Sequence, residues 1–346
     1  MTTAPLVLVA NSGDGTISTF RHEQDALERI AVTGGVSGCS TFSIDRERDL
    51  VHAAVKPASD DEHPGILTLS LDRTTGELTA RSRLDLPDEG MTYLALTRDG
   101  TALLGASYGG GYGIVCPVTD GVVGASVARI AFPNLHSVLP GADGRFAYFV
   151  SLGADLVAQY ALGDDLALVP LEPETVAAPA GSGPRHLVLN EDQDALYVLT
   201  EFSGEVLHYA RDTATGTLEL RDAAAAFDPS ADLAHSRFGV DPRANHLIWG
   251  ADLHFGDDGR RLWASERTES TLAAVTVDSD GSVTAPVRFT MTEQQPRGFA
   301  LSPDGSFLIA AGERSTTVSL YAVDGDRLAL LQQTETGHGA NWVRFV

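Results

Sequence analysis

Lysine is all but missing from this chain: Lys56 is the only one in 346 residues, and the other cationic side chains are arginines. Cations are scarce overall. Lys and Arg together number 24 against 47 Asp and Glu, which leaves a formal charge of −23. A surface this anionic repels nucleic-acid backbones and acidic lipid, so both are excluded as partners. Cysteine is nearly absent too. Cys39 and Cys116 stand alone without a CxxC spacing, which argues against a disulfide framework or a zinc site and fits buried thiols in a reducing compartment. Long apolar runs are lacking: the first, residues 5–10, is too short for a signal core or a membrane span and has no basic residue before it. A cytoplasmic protein is expected. Helical periodicity is lacking as well. No window beyond about a dozen residues holds a 3.6-residue apolar period without Gly or Pro, and the best helical candidate, residues 222–227 (DAAAAF), is too short to define a domain.

What the chain does have is a repeat. An apolar run, an Asp-Gly-type turn, a second apolar run, a polar break and a third apolar run recur at residues 94–118, 137–160, 187–209, 253–277 and 299–323. A weaker copy with a polar insertion at 58–64 occupies residues 42–71. The runs are short, rich in β-branched and aromatic residues, and bounded by Gly, Asp, Asn and Ser, which reads as strand. The two ends are complementary fragments: residues 6–20 lack the first run of the pattern, and residues 342–346 supply only that run. Joined, they make a seventh unit and remove the open sheet edges. Seven units in 346 residues is about 49 each, the period of a β-propeller. The expected fold is therefore all-β: a seven-bladed β-propeller of four-stranded antiparallel blades, forming a single domain over residues 1–346. The longer gap between the turns at Gln193 and Asp258 must hold an insertion.

In a propeller the first strand of each blade lines the central channel, so repeat-equivalent positions converge there. The residues opening that strand in four successive copies include His136, Arg185 with His186, Asp252 with His254, and Arg297. Repeat equivalence puts all six at one end of the channel. Taken singly, each is as readily a satisfied structural group; the set as a whole is what points to a site. After the second strand, at the same end, stand Tyr108, Glu201, Glu266 and Glu313. Arg267 and Arg314 directly follow two of these glutamates, which suits simple ion pairing. Glu201 has no adjacent arginine and is expected to be a free carboxylate facing Arg185. Arginines, carboxylates and a histidine in a concave site suit an anionic small molecule and acid–base work on a carbonyl compound. There is no GxSxG elbow and no cysteine set beside a histidine, so a covalent route has no support. Asp252 and His254 could both ligate a metal, yet alternate residues of any polar strand end look the same; no metal and no cofactor is expected. Gly109, Gly110 and Gly111 do not lead into a helix and no GK[ST] follows, so they form no phosphate loop. WD40-type signatures are absent.

The stretches GPRHLVLN (183–190), YVLTE (197–201), ADLHFGDDGRRLWASERT (251–268) and QPRGFALSPDGSFLIAAGE (295–313) resemble the lactonase family of seven-bladed propellers, as does residues 134–157. That family includes cycloisomerase-2-type 6-phosphogluconolactonases and carboxy-muconate lactonizing enzymes. The resemblance implies four active-site residues, His136, Arg185, Glu201 and Arg267, with Arg297 binding substrate. His186, His254, Asp252 and Tyr108 are expected to complete the substrate site. Ser151, Thr200 and Glu266 depart from the residues usual in the family, all near the channel mouth.

The function this implies is hydrolysis of a sugar-acid lactone of the 6-phosphogluconolactone type. Glu201 or His136 would accept the proton of the attacking water, and the arginines would hold the anionic group and the carbonyl oxygen. Two other readings remain: a muconate-type lactonizing cycloisomerase, and a non-catalytic binding or scaffold propeller. The expected partner is a small anionic sugar lactone, bound by a monomer or weak homo-oligomer.

Overall fold

The computed structural model describes residues 4–59, 61–256 and 258–346. Seven antiparallel sheets follow one another along the chain. Blade 1 is built from both termini: Ala340–Phe345 is its innermost strand, and Leu6–Asn11, Thr16–Glu23 and Ala26–Thr33 lie successively outward. Val7 pairs with Phe345 and Val9 with Val343, so the ring closes through main-chain hydrogen bonds, as the complementary end fragments require. Blades 2 to 7 begin with inner strands Phe42–Asp45, Tyr93–Leu96, Leu135–Pro140, Pro184–Leu189, Gly250–Phe255 and Pro296–Leu301. Blades 3 and 6 have their outermost strand broken into two short pieces.

The turn that marks each repeat works through its Asp. Asp99, Asp143, Asp258 and Asp304 each accept a hydrogen bond from a backbone N–H two residues on, the side-chain mimic of a turn. The residue after Asp143 must adopt a left-handed conformation, and glycine does so freely at Gly144 (φ 71°). Blade 5 puts Gln193 at the equivalent place (φ 59°). Its amide offsets the strain by donating to Asn190 O and accepting from Ala142 N.

Second strands are buried throughout, because each sheet packs both faces against neighbouring blades. Tyr148 and Val150 of blade 4 meet Leu196, Val198 and Tyr209 of blade 5 in one such layer, all fully buried. Each such aliphatic side chain contributes about 1.5–3 kcal/mol. Of the helical candidate, residues 222–227, the first four belong instead to the outer strand Leu218–Ala225 of blade 5 and the last two begin the connection that follows. Pairing with Glu205–Arg211 overrides the helix preference of alanine, which is weak for so short a run. The long gap holds the expected insertion, residues 226–249, with a short 3-10 turn at Pro229–Ala231 and a bridge between Ala234 and Leu247.

The inner strands all run the same way along the channel. Arg185 and Arg297, near their starts, line a cavity at one mouth; Asp45, Leu189 and Arg344, near their ends, line another at the opposite mouth. No helix among the described residues is long and apolar enough to cross a membrane.

Candidate active site

Most inner strands slip register at their first residues. In blade 4, Leu135 pairs with Ser151 and Ser137 with Val150, which leaves His136 over. Arg185 is skipped between Pro184 and His186, Arg297 between Pro296 and Gly298, and Asn341 between Ala340 and Trp342. Blade 6 skips both Ala251 and Asp252. A bulge bends the strand and re-aims the extra side chain. Because the bulges occupy equivalent places, His136, Arg185, Arg297 and Asn341 all line one cavity of about 1260 Å³. Glycine permits the close approach that fixes Glu201 nearby. A Cβ at Gly250 would sit 2.2 Å from the Thr200 carbonyl oxygen, and the Gly250 N–H donates to Glu201 O at 3.0 Å.

Glu201 is the hub of the floor. Its Oε2 accepts from Arg185 Nε at 2.8 Å and from Arg267 Nη2 at 2.8 Å, and its Oε1 accepts from the Trp249 indole at 3.3 Å. The expectation of a free carboxylate is thus corrected. Arg267 lies 66 residues away in sequence yet shares the same oxygen, because the ends of second strands in adjacent blades meet at the mouth. Arg185 also donates to Ala251 O at 2.6 Å, and Arg267 to Gly250 O at 2.7 Å, with its guanidinium stacked 3.9 Å over the Trp249 ring. Beside them Arg297 donates to Glu313 Oε1 at 2.8 Å, and Gln295 donates to the other oxygen. Glu266, by contrast, makes no ion pair among the described residues. Its carboxylate accepts backbone N–H groups of Trp249, Thr268 and Glu269, which holds the end of the insertion.

These contacts set the charges. Burial pushes the Glu201 carboxyl up, but the Arg267 and Arg185 guanidiniums more than offset it and hold it below the usual range. The same competition at Glu313, against Arg297 and Arg267, brings it to about 2. Burial lowers His136 well below an ordinary histidine, and Arg185 lowers it further, so the imidazole is neutral at pH 7. Its Nδ1 is buried without a hydrogen-bond partner, and the Tyr108 ring meets it edge-on at 5.8 Å. At the floor three guanidiniums face two carboxylates, and over the whole lining Lys56 and five arginines stand against five carboxylates, Asp88, Glu89, Glu201, Asp241 and Glu313, a small local positive excess in a protein of charge −23.

Three predicted site residues lie elsewhere. His186 and Asp252 line neither mouth, and His254 borders a separate cavity shared with Arg46 and Arg344. The reason is that an inner strand descends the channel by about 3.3 Å per residue, so residues further along it sit deeper. His186 plugs the axis, its ring against Tyr93, His136 and Trp342. It touches Arg185 at 3.1 Å and donates to Asp252 Oδ1 at 2.7 Å, while His254 approaches Asp252 Oδ2 at 3.0 Å. Buried Asp252 and His186, with partly exposed His254, therefore form a support beneath Arg185 rather than a wall of its cavity. Among the described residues no group of three or more His, Cys, Asp or Glu could hold a metal ion.

Sequence reasoning missed several lining residues. Trp249 and Arg243 come from the insertion and have no repeat equivalents. Lys56, the sole lysine, and Asn341 also line the cavity. Asn341 was within reach, since it opens the inner strand that the C-terminus supplies.

Comparison with known proteins agrees with this architecture. The family model described as lactonase, 7-bladed beta-propeller, matches residues 7–345. The 6-phosphogluconolactonase of Cronobacter sakazakii is 31% identical over 341 residues, 97% of each chain. That of Klebsiella pneumoniae is 30% identical over 342 residues, again 97% of each. Among solved structures, the periplasmic gluconolactonase of Pseudomonas aeruginosa superposes with a TM-score of 0.85 over 99% of both chains at 24% identity, a likeness of fold. The chain belongs to the lactonase family of seven-bladed β-propellers.

Proposed function

We propose that this protein hydrolyses a sugar-acid lactone of the 6-phosphogluconolactone type. The observation that carries the reading is the paired guanidinium arrangement: Arg185 and Arg267 converge on one oxygen of Glu201 in a concave, positively biased cavity. Relatives covering nearly the whole chain bear the name 6-phosphogluconolactonase, which supports the substrate class.

In the proposed reaction a water oxygen attacks the lactone carbonyl carbon and its proton passes to Glu201. The carbonyl electron pair moves onto oxygen, where Arg185 and Arg267 stabilise it. As the oxyanion draws on these guanidiniums, Glu201 loses part of their grip and becomes more basic, so proton uptake and oxyanion formation assist each other. Collapse of the tetrahedral intermediate breaks the bond to the ring oxygen, which takes the proton back from Glu201, leaving the open-chain carboxylic acid, which releases its remaining proton to solvent as the carboxylate. His136 is the less favourable base: protonating it would add a cation among Arg185, Arg267 and Arg297. It and Tyr108 serve better as the neutral wall against which the sugar ring lies. Arg297, tethered by Glu313, contributes to the field that draws in the anion. No step calls on a cofactor.

The test is a panel of six-carbon sugar-acid lactones, phosphorylated and not, followed by acid release with the spontaneous rate subtracted. Turnover of a phosphorylated lactone well above background supports the reading. Absence of lactone opening, with loss of muconate absorbance instead, would move the protein to the cycloisomerase class, and no reaction with either would leave a binding propeller.

A further inference from the structure

The cavity's cations differ in how they are held. Arg185, Arg267 and Arg297 are each tied to Glu201 or Glu313. Lys56, Arg243 and Arg314 make no ion pair among the described residues, and of these Lys56 and Arg314 are exposed. Arg243 alone is half-buried, and its Nη1 is shut off from solvent without a hydrogen-bond partner. A buried guanidinium N–H left unmatched is costly and is ordinarily paired. The nearest carboxylate in sequence, Asp241, does not serve it. One Asp241 oxygen accepts the backbone N–H groups of Arg243 and Ala244, which shapes the turn that carries the arginine.

The place of Arg243 is equally informative. It sits in the insertion between blades 5 and 6, the segment whose last residue before the inner strand, Trp249, stacks on Arg267 and donates to Glu201. The insertion thus brings one unpaired guanidinium to the rim of the cavity whose floor already holds the reaction centre. A phosphomonoester carries about −1.5 to −2 charges at neutral pH and three acceptor oxygens. The floor's single positive excess is too little to match it together with a developing oxyanion. A forked guanidinium that no carboxylate pairs among the described residues, although Asp88, Glu89 and Asp241 share the lining, supplies the missing charge and geometry.

We infer that Arg243 is the phosphate receptor of this site, the residue that makes the cavity select a phosphorylated lactone over its unphosphorylated counterpart. The inference rests on the lactonase reading for its kinetic test, and a binding measurement tests it separately. Arg243→Gln keeps the backbone hydrogen bonds to Asp241, so the turn is retained. For the phosphorylated lactone its KM rises about tenfold or more, the loss of a charge-assisted contact, with kcat little changed. For the unphosphorylated lactone KM stays the same, and Arg243→Lys recovers part of the loss as a point charge without the fork. Inorganic phosphate, titrated calorimetrically into wild type and Arg243→Gln, binds the variant about tenfold more weakly. Equal effects on both lactones, or unchanged phosphate binding in a folded variant, overturn the assignment. If wild type opens no lactone at all, the lactonase reading fails while the phosphate titration still decides the role of Arg243.

Discussion

The Arg185 guanidinium lies 3.1 Å from Nε2 of His186, and because arginine has no lone pair to offer, that ring nitrogen is the acceptor. The ring proton must then sit on Nδ1, where it is donated to Asp252 Oδ1 at 2.7 Å. Asp252 is held ionised: burial favours its neutral form, but His254 and His186 outweigh that and keep its carboxyl well below the ordinary range. One buried carboxylate thus sets the tautomer of His186, and the tautomer sets what Arg185 can touch.

Asp252→Asn keeps a single neutral acceptor oxygen where His186 and Leu253 N–H both bond, and turns an N–H₂ group toward His254, so the charge that holds the Nδ1–H tautomer of His186 is lost and its Nε2 is a less secure acceptor for Arg185. Arg185 then loses its place. The expected result is a fall in kcat of about 10- to 100-fold, in the range of a lost oxyanion donor, with KM changed far less. Asp252→Glu, which keeps the charge, recovers part of the rate. A KM rise without a kcat change would put Asp252 in substrate binding, as its sequence position first implied.

Glu201→Gln keeps the size of the side chain and removes the proposed proton acceptor. Turnover is expected to drop about 10²- to 10⁴-fold, the usual contribution of a general base. Stability drops as well, because Arg185 and Arg267 are left buried with less compensation. Circular dichroism and a denaturant titration at the assay temperature separate the two effects. A folded Glu201→Gln enzyme with full activity would remove Glu201 from the reaction.

Glu313→Gln acts in the opposite direction. Glu313 holds Arg297 at 2.8 Å and subtracts one charge from the cavity. Neutralising it leaves the Gln295 contact possible and frees Arg297 for the substrate anion. KM for a phosphorylated lactone should fall, by about two- to fivefold for one partly screened charge, and the fall should shrink as salt is added. Steady-state kinetics at low and high ionic strength read this directly, and a KM that rises shows that Glu313 is needed to place Arg297.

Much of this was legible in the sequence, for physical reasons that also mark where it stopped. The blades repeat because each turn needs an Asp acceptor and a left-handed residue, as at Asp143 and Gly144, and both leave a mark in the letters. The equivalence of His136, Arg185 and Arg297 was readable for the same reason. That each is a bulge residue was not, since a bulge is defined by the register of the partner strand. Glu201 looked free because Arg267 is distant in sequence and adjacent only across a blade boundary. His186, Asp252 and His254 were assigned to the mouth because equivalence fixes which strand a residue belongs to and not how far down the channel it lies. Arg243 and Trp249 sit in the one insertion that no repeat predicts.

The buried histidines predict how stability responds to acid. His52 is lowered to about 4 by burial, His186 to about 3 by burial and by Arg185, and His136 well below its ordinary value of 6.5. In the unfolded chain all three take up protons as pH falls through about 6.5, whereas the folded protein keeps them neutral. The unfolded state therefore binds more protons in this window, and stability declines as pH falls from 6.5 toward the folded values. The slope approaches about 1.4 kcal/mol per pH unit for each histidine. Glu266 works the other way, since burial raises its carboxyl despite its three backbone donors, but it is one group against these three and His22, which burial also lowers. The lowered carboxyls of Glu201 and Glu313 add to the loss only at more acid pH, below their ordinary 4.5. Urea midpoints measured from pH 7 to pH 5 should fall steadily, and His52→Gln, which does not line the Arg185–Glu201 cavity, should flatten the slope by one proton's worth. A midpoint independent of pH over that range would mean that these histidines are protonated in the folded state, which the Arg185–His186 contact forbids for His186.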